Sequence, residues 1–171
     1  PEQFVQRVEA RFDDGTRLVV VNDPMSGYSP AQQSPLPAPE AEERLTVVNE
    51  ASTAIGLTSH IHLAEVNPRL RLDRSAAYGR RLAIPTGETV WIRPGERVDV
   101  PVTSIRGARV VVGNTGLVDG PLDDPQTRRR ALDGLRECGF LDVVDGQPVG
   151  DAVEAEQSIA ALVRRSHEDA S

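Results

Sequence analysis

Lysine is absent from this 171-residue chain, in which all nineteen basic residues are arginine. That excludes a lysine Schiff base, a phosphate-loop lysine and every other lysine-dependent chemistry. Cysteine occurs once, as Cys138, so an internal disulfide framework and a four-cysteine zinc site are both ruled out, in keeping with a reducing compartment. Aromatic residues make up only 4% of the chain. No apolar run reaches the length of about 18 residues that a membrane helix needs. The opening residues Pro1-Glu2-Gln3-Phe4 have neither a basic flank nor an apolar stretch, so no signal peptide is read there. An initiator methionine is missing as well, and the expectation is a piece cut from a longer protein.

What is present is enough for one domain, or for a small domain with appendages, around a real core. The net charge of −7 is unevenly spread: residues 1–59 carry −5, residues 60–118 carry +4 and residues 119–171 carry −6. The nine arginines of the basic middle are scattered among predicted strands and turns. They lack the basic helix or aromatic platforms of nucleic-acid readers and suit solvated faces or a protein interface rich in arginine.

Turn chemistry divides the chain. Two β-prone runs, Phe4 to Phe12 and Arg17 to Asn22, flank Asp13-Asp14-Gly15-Thr16, which predicts a hairpin. Prolines 24, 30, 35, 37 and 39 follow within a polar stretch that reads as a loop or linker. From Arg44 onward short strands recur at roughly ten-residue spacing, each closed by Pro or Gly. They are Leu45–Val48, Ala54–Leu63, Leu82–Ile84, Thr89–Ile92, Arg97–Val102 and Arg109–Val112, with Val98, Val100 and Val102 on one face. A short helix is expected at Arg74–Gly79. In the last third, Asp124 before Pro125 starts a helix that presents Ala131, Leu132 and Leu135 and stops at Gly139. A second helix is expected from Asp151. The fold class is therefore mainly β, a compact barrel-like core with an N-terminal hairpin and two C-terminal helices.

His60-Ile61-His62-Leu63-Ala64-Glu65 is the most suggestive polar cluster. If it lies in a strand, the two imidazoles share a face and, with Glu65, offer a metal-binding set. The competing reading is buried or interfacial histidines bonded to the backbone; the remaining histidine, His167, sits in the acidic tail. Cys138 closes a helix and reads as packing. Asp123-Asp124 reads as a cap and Gly113-Asn114-Thr115-Gly116 as a turn, since it lacks the lysine and helix of a phosphate loop. The residues alone point to no active site.

Four blocks, in order and spacing, closely resemble the urease beta subunit: Ser59 to Asn67, Asp73 to Gly87, Pro94-Gly95, and Gly113 to Leu122. Separately, Pro1-Glu2 and Val8 to Pro24 look like the last strands of the urease gamma subunit. The resemblance implies a gamma/beta fusion fragment: a gamma-like hairpin over 1–29, a proline-rich linker over 30–44, a β-clip-like beta domain over 45–122, and an acidic helical extension over 123–171. It also implies a cytoplasmic, oligomeric enzyme that hydrolyses urea to ammonia and carbamate. In that family the nickel ions, the bridging lysine and the catalytic histidines belong to the alpha subunit, so no catalytic residue, metal ligand or cofactor is expected on this chain. His60, His62, Glu65, Asn67, Arg74 and Tyr78 are the expected subunit-interface residues. Where the family has an apolar anchor, this chain has Asn114-Thr115. The alternative is a divergent β-rich scaffold or binding module that no longer assembles with an active alpha subunit.

Overall fold

A computed structural model of the chain describes residues 5–12, 15–22, 38–153 and 157. It divides into two units, residues Pro1–Pro35 and Leu36–Ser171. In the first, β1 (Val5–Phe12) and β2 (Gly15–Asn22) pair antiparallel, with Val5 opposite Asn22 and Phe12 opposite Gly15. The strands flank residues 13 and 14, and Gly15 of the Asp-Gly pair belongs to β2, so a hairpin forms where the sequence predicts one. The linker prolines 24, 30, 35 and 37 lie outside the described residues.

The second unit is mainly β. Its strands are β3 (Glu43–Asn49), β4 (Ile55–Thr58), β5 (Leu70–Arg71), β6 (Arg80–Leu82), β7 (Thr89–Ile92), β8 (Arg97–Ser104), β9 (Val110–Val111), β10 (Gly120–Pro121), β11 (Asp142–Val144) and β12 (Gln147–Val149). A four-stranded antiparallel sheet has the order β5-β3-β8-β6, and β4–β7, β9–β10 and β11–β12 form two-stranded ladders. Alternation in β8 works as expected. Val100 and Val102 are buried and Val98 packs against the core, while Arg97 and Asp99 face out.

Two helices are described. The single turn α1 (Arg74–Ala77) is capped by Asp73, whose carboxylate accepts the Ala76 N–H at 2.8 Å, and Gly79 follows at φ +74°. Helix α2 (Pro125–Glu137) starts at Asp124, whose carboxylate accepts the N–H groups of Gln126 and Thr127. It ends in a Schellman motif: Gly139 N–H bonds to Arg136 O and Phe140 N–H to Leu135 O, with Gly139 at φ +73°. Of the second C-terminal helix, expected from Asp151, only residues 151–153 and 157 are described.

Part of the expected extension, α2 and the residues 140–142 that follow it, is built into the core. Leu132, Leu135 and Phe140 pack in one cluster with Val47, Leu57, Leu63, Leu72, Leu82, Ile92 and Val102. Each such side chain contributes about 1.5–3 kcal/mol by burial. Backbone bonds from Leu141 N–H to Pro68 O and from Val143 N–H to Leu72 O tie β11 to the middle of the chain. The β11–β12 hairpin turns through Asp145-Gly146.

Candidate functional site

The expected strand Ala54–Leu63 ends at Thr58. Ser59 closes it: its N–H donates to Glu88 O and its hydroxyl accepts the Gly87 N–H. The chain then turns, and residues Leu63–Glu65 form a 3-10 turn. That geometry brings residues three apart together, so His62 meets Glu65 instead of sharing a strand face with His60. His60 is exposed, whereas His62 is 1% exposed. The reading in which both imidazoles and Glu65 converge on one metal is thereby corrected. Among the described residues no group of three or more His, Cys, Asp or Glu side chains is arranged to hold a metal ion, so a nickel site does not fit these residues.

The buried polar cluster that does form is fully directional. Gly79 donates its N–H to His62 Nε2 at 2.9 Å; that nitrogen therefore carries no proton, and Nδ1–H donates to Glu65 Oε2 at 2.7 Å. Glu65 Oε1 accepts from the Thr115 hydroxyl at 2.6 Å, and Thr115 Oγ1 accepts from Leu117 N–H at 3.2 Å. Burial pushes the Glu65 carboxyl upward, but the bonds from His62 and Thr115 outweigh it and hold the group below its ordinary value. The Tyr78 ring stands edge-on to His62 at 5.3 Å and lies under the Arg128 guanidinium at 5.6 Å. Burial, chiefly, raises the Tyr78 phenol.

A hydroxyl, a carboxylate and an imidazole in contact invite comparison with a nucleophilic triad. The order is wrong for one: the carboxylate lies between the hydroxyl and the ring, and the only ring nitrogen free of a proton is occupied by a backbone donor. No base is left to activate Thr115. The cluster acts instead as a clamp joining three remote segments: the 62–65 turn, Gly79 after α1, and the 113–116 turn.

Arg74 is the second pin. It is 1% exposed, and its guanidinium donates to the carbonyls of Ala64, Val66, Asn67, Leu70 and Leu141 while standing 4.9 Å from the Phe140 ring centroid. Burial pulls its pKa down to about 9, the Asp142 charge partly opposing, so it remains a cation at neutral pH. Asp142, also buried, accepts from the Arg74 backbone N–H and from Arg136. Asn67 is exposed; its side chain accepts Arg69 N–H in a local turn.

Of the six expected interface residues, then, His60 and Asn67 present side chains outward and Tyr78 is half-buried. His62, Glu65 and Arg74 lie inside, with no side-chain surface left for a partner; what they do is hold the backbone between His60 and Asn67. Thr115 and Asp142 were not picked out from the sequence. Their partners are 50 and 68 residues away, and no local pattern announces such pairs. The Asp145-Gly146 turn between two valine-containing runs was a visible hairpin signal.

Comparison with known proteins matches residues 29–121 to the family described as "Urease beta subunit". The chain is 50% identical over 142 residues to urease subunit gamma/beta of Streptomyces coelicolor, covering 78% of this chain and 63% of that protein. It is 46% identical over 143 residues to urease subunit gamma/beta of Streptomyces avermitilis, covering 80% and 63%. Urease subunit beta of Haloquadratum walsbyi is 36% identical over 124 residues, covering 69% of this chain and 98% of that protein. The chain thus spans 63% of the length of the two Streptomyces relatives.

Proposed function

The chain belongs to the urease beta subunit family, in its gamma/beta form, and from that premise we propose that it is a non-catalytic structural subunit of a urease. It supports nickel-dependent hydrolysis of urea to ammonia and carbamate by a separate alpha subunit, in an oligomer of gamma, beta and alpha parts in the cytoplasm. The family match over residues 29–121 carries the reading. The internal use of the chain's polar groups agrees with it: His62, Glu65, Thr115 and Arg74 spend their donors and acceptors on one another and on backbone. No helix among the described residues is long and apolar enough to cross a membrane.

The docking segment of this reading is 60–67. His60 and Asn67 make the contacts with the alpha subunit, and His62, Glu65 and Arg74, braced by Tyr78, position them from beneath. A segment held rigid before binding loses less entropy when it binds. Co-expression with the cognate urease alpha subunit tests the whole. The expected result is a co-purifying, nickel-containing complex that hydrolyses urea, while the chain alone binds no nickel and has no activity. Failure to co-purify with the alpha subunit would overturn the proposal.

A further inference from the structure

The sequence holds four Asp-Gly pairs: Asp14-Gly15, Asp119-Gly120, Asp133-Gly134 and Asp145-Gly146. Such a pair can isomerise without enzyme or cofactor, because glycine has no side chain to keep its amide nitrogen away from the aspartate carboxyl. Asp14 lies outside the described residues. The fold treats the other three differently.

In α2 the Gly134 N–H is taken up by the helical ladder, and helical backbone at Asp133 cannot accept the flat five-membered ring that the reaction forms. Gly120 is paired with Val111 in the β9–β10 ladder, and a Cβ on it would sit 3.4 Å from the Thr127 side chain. Asp145 and Gly146 are the two turn residues of β11–β12, between Val144 and its partner Gln147. Both are exposed, and a Cβ on Gly146 would meet nothing within 4 Å. Among the described residues nothing bonds the Asp145 carboxylate, whereas that of Asp133 is paired with Arg136. Every residue of β12 is exposed as well, so the short ladder on either side of the turn opens locally far more readily than the core.

We propose that Asp145 is a site of isoaspartate formation in the folded chain. The Gly146 amide nitrogen attacks Cγ of the protonated Asp145 carboxyl, and as the C–N bond forms the hydroxyl of that carboxyl leaves with the amide proton as water. Water then adds to one of the two ring carbonyls. Addition at Cγ restores aspartate. Addition at the Asp145 main-chain carbonyl breaks its original bond to the Gly146 nitrogen, so the chain now runs through Cγ and a free α-carboxylate remains. Nothing is oxidised or reduced, and the mass is unchanged.

The product lengthens the main chain by a methylene inside a turn whose length sets the register of β12. The carbonyls of Val149 and Gly150, which accept from the Arg71 guanidinium at 2.8 and 3.2 Å, then move away from it. Strand β11 stays in place, held by Val143 N–H on Leu72 O and by the Asp142 carboxylate on the Arg74 N–H. The modification is therefore a slow release of β12 from a core that keeps its fold. It rests on the hairpin alone and is independent of the alpha-subunit reading.

Prolonged incubation of the 171-residue chain, folded and in urea, followed by peptide mapping with electron-transfer fragmentation, tests it. In the folded chain isoaspartate should accumulate at Asp145 and not at Asp119 or Asp133; in urea it should appear at all three. Isoaspartyl methyltransferase with labelled S-adenosylmethionine should then methylate the new α-carboxylate in the Asp145 peptide, S-adenosylhomocysteine leaving. D145E, whose longer side chain would have to close a six-membered ring, should lose the product, and D145N should form it faster, with ammonia leaving in place of water. The modified chain should exchange the Val144 and Gln147 amides faster and that of Val143 at the original rate. An unmodified Asp145 in the folded chain overturns the proposal, as does isoaspartate at Asp119 or Asp133 as fast as at Asp145. Silence of Asp119 and Asp133 in urea overturns it too, since the fold would then not be what spares them. Unchanged exchange at Val144 and Gln147 in the modified chain overturns the release of β12.

Discussion

Gly79 donates its backbone N–H to His62 Nε2 across 2.9 Å, and this one bond sets the tautomer of the imidazole and the direction of every bond beyond it. Nδ1–H must then face Glu65, which leaves the second carboxylate oxygen for Thr115. The donor is also at φ +74°, a backbone state that glycine adopts freely and other residues resist.

G79A should therefore lower stability by about 1–2 kcal/mol, the usual cost of a left-handed L-residue. Its new Cβ meets only an Arg109 side-chain nitrogen at 3.4 Å, so the loss comes from the backbone. Urea unfolding monitored by circular dichroism would measure it; an unchanged midpoint contradicts the account.

Glu65 gives the clamp a pH dependence. Its carboxyl is held below its ordinary value of 4.5 in the folded chain, so the folded state binds the proton less readily than the unfolded one. The resulting stability is fully present above pH 4.5 and is lost as pH falls through the folded value. E65Q should lose about 1–3 kcal/mol at neutral pH, because the amide cannot accept from both partners. It should also show a shallower decline of stability below pH 4.5 than wild type.

Replacing Arg74 removes donors from five carbonyls at once. R74M should destabilise the chain by about 3–5 kcal/mol, the range for leaving buried charged networks unpaired. R74K should recover only part of this, since an ammonium has three donors and no planar fork. Thermal melts of the three proteins give the order.

A chain ended at Leu122 should not fold. It lacks Leu132, Leu135 and Phe140, each contributing about 1.5–3 kcal/mol of burial, and the Leu141 and Val143 backbone bonds. Absence of dispersed amide resonances in a proton–nitrogen NMR spectrum is the expected outcome; a dispersed spectrum would mean that the core closes without α2.

D124A should lower stability by removing the N-cap of α2. The Thr127 hydroxyl and the N–H groups of Thr127 and Gln126 bond the Asp124 carboxylate and lower its pKa. The cap's contribution is therefore complete above pH 3.8 and fades below it. Urea titrations of both proteins at neutral and acid pH give the difference.

Local periodicity and turn chemistry were enough for the hairpin β1–β2, the alternating β8, the capped start of α2 and its glycine stop. Each depends on residues within a few positions of one another, and so did the ordered motifs that carry the family resemblance. The absence of lysine and the basic middle between acidic flanks were also complete in the sequence. Which polar residues are surface and which are interior was decided only by the tertiary structure. His60 and His62 are neighbours of one chemical type, yet one faces water and the other is locked between Glu65 and Gly79, because a 3-10 turn replaced the strand that alternation suggested. The tail looked separate because its contacts with the core, Phe140 against Arg74 and β11 against Leu72, join residues about seventy positions apart. Such pairs are chosen by how the packed core closes, and no local spacing encodes them.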